Sequence, residues 1–308
     1  MGYDSEYIID RNPEGYSKYI NLYKGEVTEV KEKEIESEAY EINNLRGRLY
    51  ELSKKKEDGE ISKEEYDQKV IGYHERDKNS KVFEIVYNQY FYAKDAPEER
   101  YIMDERGWST LLTHGNPDFF LILCLILIMT PLFCNEYESG MDVLLLSTAK
   151  GKYKVGITKV LCASLLSIGI TLLFSLIDLI LMHYMVGLHG WSYPLQSLEF
   201  FHNSIYKITL LEAYIIVIVC RLIGAVLLTN YISLVGILSK KSIITLFTSS
   251  ILVFLPYSLL KDNSTLYYLP LPSGLFIGEG YLWGTSYITK CMQNGTTERV
   301  AQYMRVEK

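Results

Sequence analysis

From residue 120 to residue 134 the chain reads FLILCLILIMTPLFC, without a single charge. This run belongs to the first of four apolar segments, Pro117–Cys134, Ile157–Val186, Ile208–Leu238 and Ser242–Leu260. A helix rises ~1.5 Å per residue, so each segment can roughly cross a hydrocarbon core of ~30 Å, and the second and third are long enough to tilt or extend past the lipid. Lipid offers no hydrogen-bond partner to the backbone, which restricts spanning segments to helices and closed barrels. Segments this long suit helices, and the expected fold is an all-α polytopic membrane bundle with four transmembrane helices. Residues 1–116 are instead crowded with Lys, Glu, Asp and Tyr and read as water-soluble. The N-terminal MGYDSEYIIDRNPEG lacks the basic and apolar regions of a secretory signal, and Glu6 stands where a myristoylation motif needs Ser or Thr.

Lys and Arg in short connectors set orientation. The connector after the first segment carries Lys150, Lys152 and Lys154, and the third carries Lys240 and Lys241. The second, residues 187–206, has neither Lys nor Arg. The first and third connectors are therefore expected in the cytoplasm, in a multi-pass cell-membrane protein. The expected plan is an extracytoplasmic helical hairpin domain at 1–116, a transmembrane domain at 117–260 with a cytoplasmic coupling loop at 135–156, and an extracytoplasmic segment at 261–308.

Ionisable residues inside apolar segments are costly in lipid and mark either packing or a pathway. They are Asp178 and His183 in the second segment and Glu212 and Arg221 in the third. Counted from the cytoplasmic ends, Asp178 is about 33 Å and Arg221 about 28 Å along its helix, close enough in depth for a salt bridge. Such a pair serves helix packing or lines a translocation pathway.

In the soluble part, residues 26–58 read as one long helix. Ile35, Ile42 and Leu49, with Leu45 and Leu52, recur at the heptad spacing of a coiled coil. Gly59 suits a C-cap, and Ser62 with Glu65 forms a capping box for a second helix striped by Tyr66, Val70 and Tyr73. A short joint between two such helices implies an antiparallel hairpin. The aromatic stretch 83–92 and Trp108 are expected near the lipid interface, which Tyr and Trp favour.

Several chemistries are excluded. No GxxxxGK[ST], GxGxxG or GxSxG sequence occurs. The five cysteines form no CxxC pair, and the five histidines show no ligand spacing, so no catalytic residue, metal or cofactor is expected. The hairpin's mixed charge, within a net −6, argues against nucleic-acid binding.

The first connector, NEYESGMDVLLLSTAKGK, begins acidic and ends basic. As a helix it would place Glu136 and Glu138 near its start and Lys150 and Lys152 near its end, matching the helix dipole. Met141, Leu144 and Leu145 would share one apolar face beside Asp142. Such a helix lies in the membrane interface or docks into a partner's groove.

Four pieces together carry a family resemblance: YIMDERGW at 101–108, the connector just quoted, YKVGITKVLCA opening the next segment, and YLPLPSGLFIGEGY after the last. The chain resembles the ABC-2 class of transporter permeases, in particular bacterial members with a large external segment between the first two membrane helices. The resemblance covers residues 83–285. It implies the transmembrane half of an ATP-binding cassette transporter, working as a homo- or heterodimer with a second permease subunit in membrane lipid. Two separate cytoplasmic ATPase subunits would hydrolyse the ATP, so the chain itself is expected not to be an enzyme. In the family the matching connector docks on the ATPase, which assigns docking to Glu136, Glu138, Met141, Asp142, Leu144, Leu145, Lys150 and Lys152. The family has six membrane helices against four here, so the first and last are expected to be lacking. The alternative is a membrane-anchored helical-hairpin protein that binds an extracytoplasmic partner.

Overall fold

The computed structural model describes residues 8–94, 99–113, 118–147, 154–202, 204–260, 272–278 and 282. These are mostly helical. By contacts the chain forms two units, Met1–Ser109 with His189–His202, and Thr110–Leu188 with Asn203–Lys308. This partition differs from the one drawn on the sequence. Residues 189–202 of the second connector group with the N-terminal part, and residues 272–278 group with the helix bundle.

The first unit contains α1 (Pro13–Tyr23), β1 (Gly25–Glu26), α2 (Glu29–Glu57), α3 (Lys63–Lys94) and β2 (Tyr101–Ile102). Asn12 caps α1 through Gly15 N and also donates to Asn79 Oδ1 at 2.8 Å. Gly59, at φ +75°, ends α2 in the left-handed conformation that lacks a Cβ penalty. Ser62 Oγ then accepts from Glu65 N at 3.1 Å, while the Glu65 carboxylate pairs forward with Lys69 at 2.7 Å. The helices run antiparallel, as the cross-links show: Arg46 to Glu84 at 3.0 Å, and Lys94 to Glu32 and Glu36 at 2.9 and 2.6 Å. Within α2 only Ile35 and Leu45 are buried, with Ile42 partly so against the core of this unit. Ile35 and Ile42 therefore pack inside this unit, in a cluster with residues of α1 and α3.

Part of the aromatic stretch is core rather than surface, while Phe91 and Tyr92 stay exposed. Phe83 and Tyr90 are buried with Tyr16, Ile20, Tyr23 and Ile35. Phe83 meets Tyr19 edge-on with ring centroids 5.3 Å apart. Offset and edge geometries suit ring quadrupoles, so these side chains make a core that short aliphatics could not fill. A two-residue antiparallel ladder, Gly25 with Ile102 and Glu26 with Tyr101, is a departure from an all-helical unit.

After α4 (Arg106–Leu112), the second unit contains α5 (Phe119–Glu138), α6 (Met141–Ser147), α7 (Gly156–Met185), α8 (Leu210–Ser239), α9 (Ser242–Leu260) and α10 (Pro272–Ile277). Helices α5, α7 and α8 are long and apolar enough to cross a membrane. The apolar part of α9, Ser242–Pro256, is shorter. Helix α8 sits centrally. Its buried residues Arg221, Gly224, Ala225, Leu228, Thr229, Ile232, Ser233 and Gly236 step by three and four along one face. Contacts at both ends give the directions. Asp118 and Cys134 of α5 meet Arg221 and Gly236 of α8, so these two run parallel. Asp178 meets Arg221, and Lys159 meets Glu136, so α7 runs opposite to both. Phe119 meets Phe254, and Glu138 meets Ser242, so α9 is antiparallel to α5.

Helix α7 inverts the soluble pattern. Its buried positions are Ala163, Ser167, Thr171 and Ser175, one per turn, while Leu165, Leu173, Leu176 and Leu181 are exposed. Small residues allow close approach to α8, and two of the hydroxyls are satisfied within the helix: Ser167 donates to Ser164 O, and Thr171 to Ser167 O, both at 2.8 Å. The Ser175 hydroxyl is the exception, buried without a hydrogen-bond partner among the described residues. An apolar outer face around a small, polar seam is stable in lipid rather than in water. Gly224 and Gly236 make similar room. A Cβ at Gly224 would stand 3.1 Å from Leu275 Cβ of α10, and one at Gly236 would stand 3.2 Å from Phe133 Cβ of α5.

Candidate functional site

Two clusters in the second unit gather most of the described site residues. The first is at the end where α5 and α8 stop and α7 and α9 start. Here α5 runs through Glu136 and Glu138 before Ser139 and Gly140 break it, Gly140 at φ +72°. The two glutamates therefore lie at the C-terminus of α5, not at the start of the connector helix. There the helix dipole disfavours them, and specific partners offset this. Lys159 Nζ is 2.8 Å from Glu136 Oε2 and 5.5 Å from the Phe133 ring centroid. Glu138 Oε1 accepts from Ser242 N at 2.6 Å, which caps α9. Thr245 Oγ1 bridges Cys134 Sγ and Ser239 Oγ at 3.3 and 2.8 Å.

The connector helix proper is α6, where Asp142 occupies the first turn, the favourable end for an acid. Met141 and Val143 are exposed, at 53% and 68%. Leu144 and Leu145 lie within α6. Lys150 and Lys152 lie outside the described residues.

The second cluster is at the opposite end of α5. Arg221 is 1% exposed. Its NH1 lies 3.6 Å from Asp178 Oδ2 and 3.7 Å from Asp118 Oδ2. These are charge contacts rather than hydrogen bonds, and all three guanidinium nitrogens lack a hydrogen-bond partner. Tyr214, two turns before Arg221 on α8, donates to Ser175 O of α7 at 2.7 Å. Asp118 did not figure among the sequence candidates. Its signal was present, an acid immediately before a long apolar run, which is an N-cap position. Asp118 begins α5, which has 20 residues and is about 30 Å long, so the triad lies about the thickness of a hydrocarbon core away from Glu138. Helices α7 and α8 continue about 10 Å and about 16 Å beyond it.

The other two intramembrane candidates lie in those extensions. Glu212 belongs to the α8 capping box: its side chain accepts from Thr209 N at 2.8 Å, and Thr209 Oγ1 accepts from Glu212 N at 3.3 Å. His183 is exposed in the last turn of α7, beside the Tyr184 ring. The structure thus unites Asp178 with Arg221 and leaves His183 and Glu212 apart from them.

In the first unit, the DERGW motif ties the start of α4 to residues 189–202. Asp104 holds Arg106 through two contacts, at 3.0 and 2.7 Å, and accepts from Tyr16 OH at 3.2 Å. Trp108 is fully buried, donates to His189 O at 2.7 Å and meets Trp191 edge-on, so it is not an interfacial anchor. Glu105 is 2% exposed. Its Oε2 accepts from Glu199 N at 3.1 Å while Oε1 has no partner. Burial pushes this carboxyl up from 4.5 to about 8. The Glu199 N–H opposes the rise, and the charges of Glu199 and Asp104 add to it.

Among the described residues no group of three or more His, Cys, Asp or Glu could hold a metal ion. No family model, no curated protein and no solved structure matches the chain.

Proposed function

We propose that this chain is a membrane-spanning permease subunit of an ATP-binding cassette transporter. It moves a hydrophobic, peptide or lipid-like substrate with ATP hydrolysed by a separate cytoplasmic subunit. In this reading α9 is the fourth crossing helix, the first unit is extracytoplasmic, and a second permease subunit completes the assembly. The observation that carries it is the grouping at one end of the bundle. Glu136, Glu138, Lys154, Lys159, Lys240 and Lys241 and the short helix α6 all belong to the end where α5 and α8 finish. Clustered lysines there agree with a cytoplasmic face. Helix α6 leaves Met141 and Val143 exposed for an apolar groove on an ATPase.

The test is co-purification with a P-loop ATPase encoded beside this chain. Met141→Asp and Val143→Asp should abolish the association while leaving the melting of the bundle unchanged. These positions are better probes than Glu136 or Glu138, whose carboxylates have partners inside the bundle. Retention of the ATPase by both variants removes α6 as the docking element. The alternative, an anchored protein binding an extracytoplasmic partner, draws on one feature. A pocket of about 240 Å³ opens between α2 and α3, lined by Ile42, Arg46, Phe83, Glu84 and Tyr87. Capture of a stable external partner without any ATPase would favour it.

A further inference from the structure

A groove of about 410 Å³ runs between the last turns of α5 and the first turns of α7. We propose that it is a binding site for the head and upper acyl chain of one anionic phospholipid from the adjoining leaflet. The lining divides into two chemistries. Leu132, Val155 and Cys162 form an apolar wall, with Leu132 39% and Val155 37% exposed. Lys154, Thr158, Lys159 and Glu136 form the polar rim.

Charge decides which head fits. Glu136 holds Lys159 at 2.8 Å and cancels one positive charge. Lys154 is exposed and makes no ion pair or hydrogen bond among the described residues. Among the described lining residues the rim therefore carries a net charge of +1, matching the single negative charge of a phosphodiester whose alcohol is uncharged. A zwitterionic head brings its own cation and gains less. Lys154 and the Thr158 hydroxyl supply donors to the phosphate oxygens. The exposed Leu161 and Leu165 of α7 continue the apolar surface along which a chain lies toward the bilayer centre. Basic pockets between membrane helices on the cytoplasmic side are the recurrent setting for such heads. The site requires only that α5 and α7 lie in a bilayer and does not depend on the permease reading.

The experiment uses the full purified chain, delipidated in an uncharged detergent. Fluorescent-tailed phosphatidylglycerol is titrated beside phosphatidylcholine with the same tail, with inorganic phosphate as competitor. The expected result is saturable, tighter binding of phosphatidylglycerol. Lys154→Ala should weaken it about fivefold, the contribution of one lysine toward an anionic lipid. Cys162→Phe fills the apolar wall and should weaken binding of both lipids, and unchanged helical circular dichroism verifies that each variant is folded. Equal affinity for the two lipids, or unchanged binding in Lys154→Ala, overturns the proposal. Displacement of the lipid by millimolar phosphate also overturns it, by assigning the rim to a free anion.

Discussion

Replacing Glu105 by Gln isolates one buried carboxyl and has a calculable effect. In the folded chain Glu105 holds its proton up to about pH 8, whereas an unfolded chain releases it near 4.5. Between those values the folded state binds the extra proton, so stability falls as pH rises through that window. Each pH unit of the window costs about 1.4 kcal/mol. The loss is thus about 3 kcal/mol at pH 7 and reaches about 5 kcal/mol by pH 8, where the slope ends. Gln keeps the oxygen that accepts from Glu199 N and does not titrate. The variant should match wild type near pH 5 and exceed it by several degrees in melting temperature at pH 8. Intrinsic fluorescence of the full chain in detergent, with Trp283→Phe in both proteins, reads this unit, because Trp108, three residues from Glu105, packs on Trp191. Parallel wild-type and variant profiles from pH 5 to pH 8 would refute a proton on Glu105.

Other outcomes follow from the same contacts. Arg221→Ala leaves Asp118 and Asp178 without their shared cation and should lower bundle stability by about 3–5 kcal/mol in thermal melts. Removing all three charges with Asp118→Asn, Asp178→Asn and Arg221→Met should recover most of that loss. Gly236→Leu forces a side chain against Phe133 and Cys134 and should cost about 1–3 kcal/mol, with reduced cross-linking between cysteines placed on α5 and α8. Glu138→Ala removes the cap from Ser242 N and should cost about 1 kcal/mol, seen as faster amide exchange in the first turn of α9.

The apolar helices were legible because a helix satisfies its own backbone and hydropathy locates it. The expected segments 157–186 and 208–238 differ from α7 and α8 by no more than two residues at either end. Gly59 was legible for a similarly local reason, since only the backbone at that residue is involved. What escaped the sequence reading depends on partners distant in the chain. Glu138 finds Ser242 and Asp118 finds Arg221 only when separate helices close. Read locally, the two connector glutamates suited a helix start, but the left-handed turn at Gly140 assigns them to the helix before it. The stretch 83–92 has the composition of an interfacial belt. The packing of α1 and α2 against it buries Phe83 and Tyr90 in the core of the first unit.

That turn at Gly140 also determines how a load would travel. A continuous helix from α5 into α6 would be a stiff rod, and a push on α6 would bend α5 alone. The break removes that leverage and leaves the last turn of α5 as a junction whose cross-ties include Glu136 to Lys159 on α7 and Glu138 to the first turn of α9. Displacing this junction by an ångström strains both ties at once. Force applied at one short helix is thereby divided between two neighbours that run in the same direction.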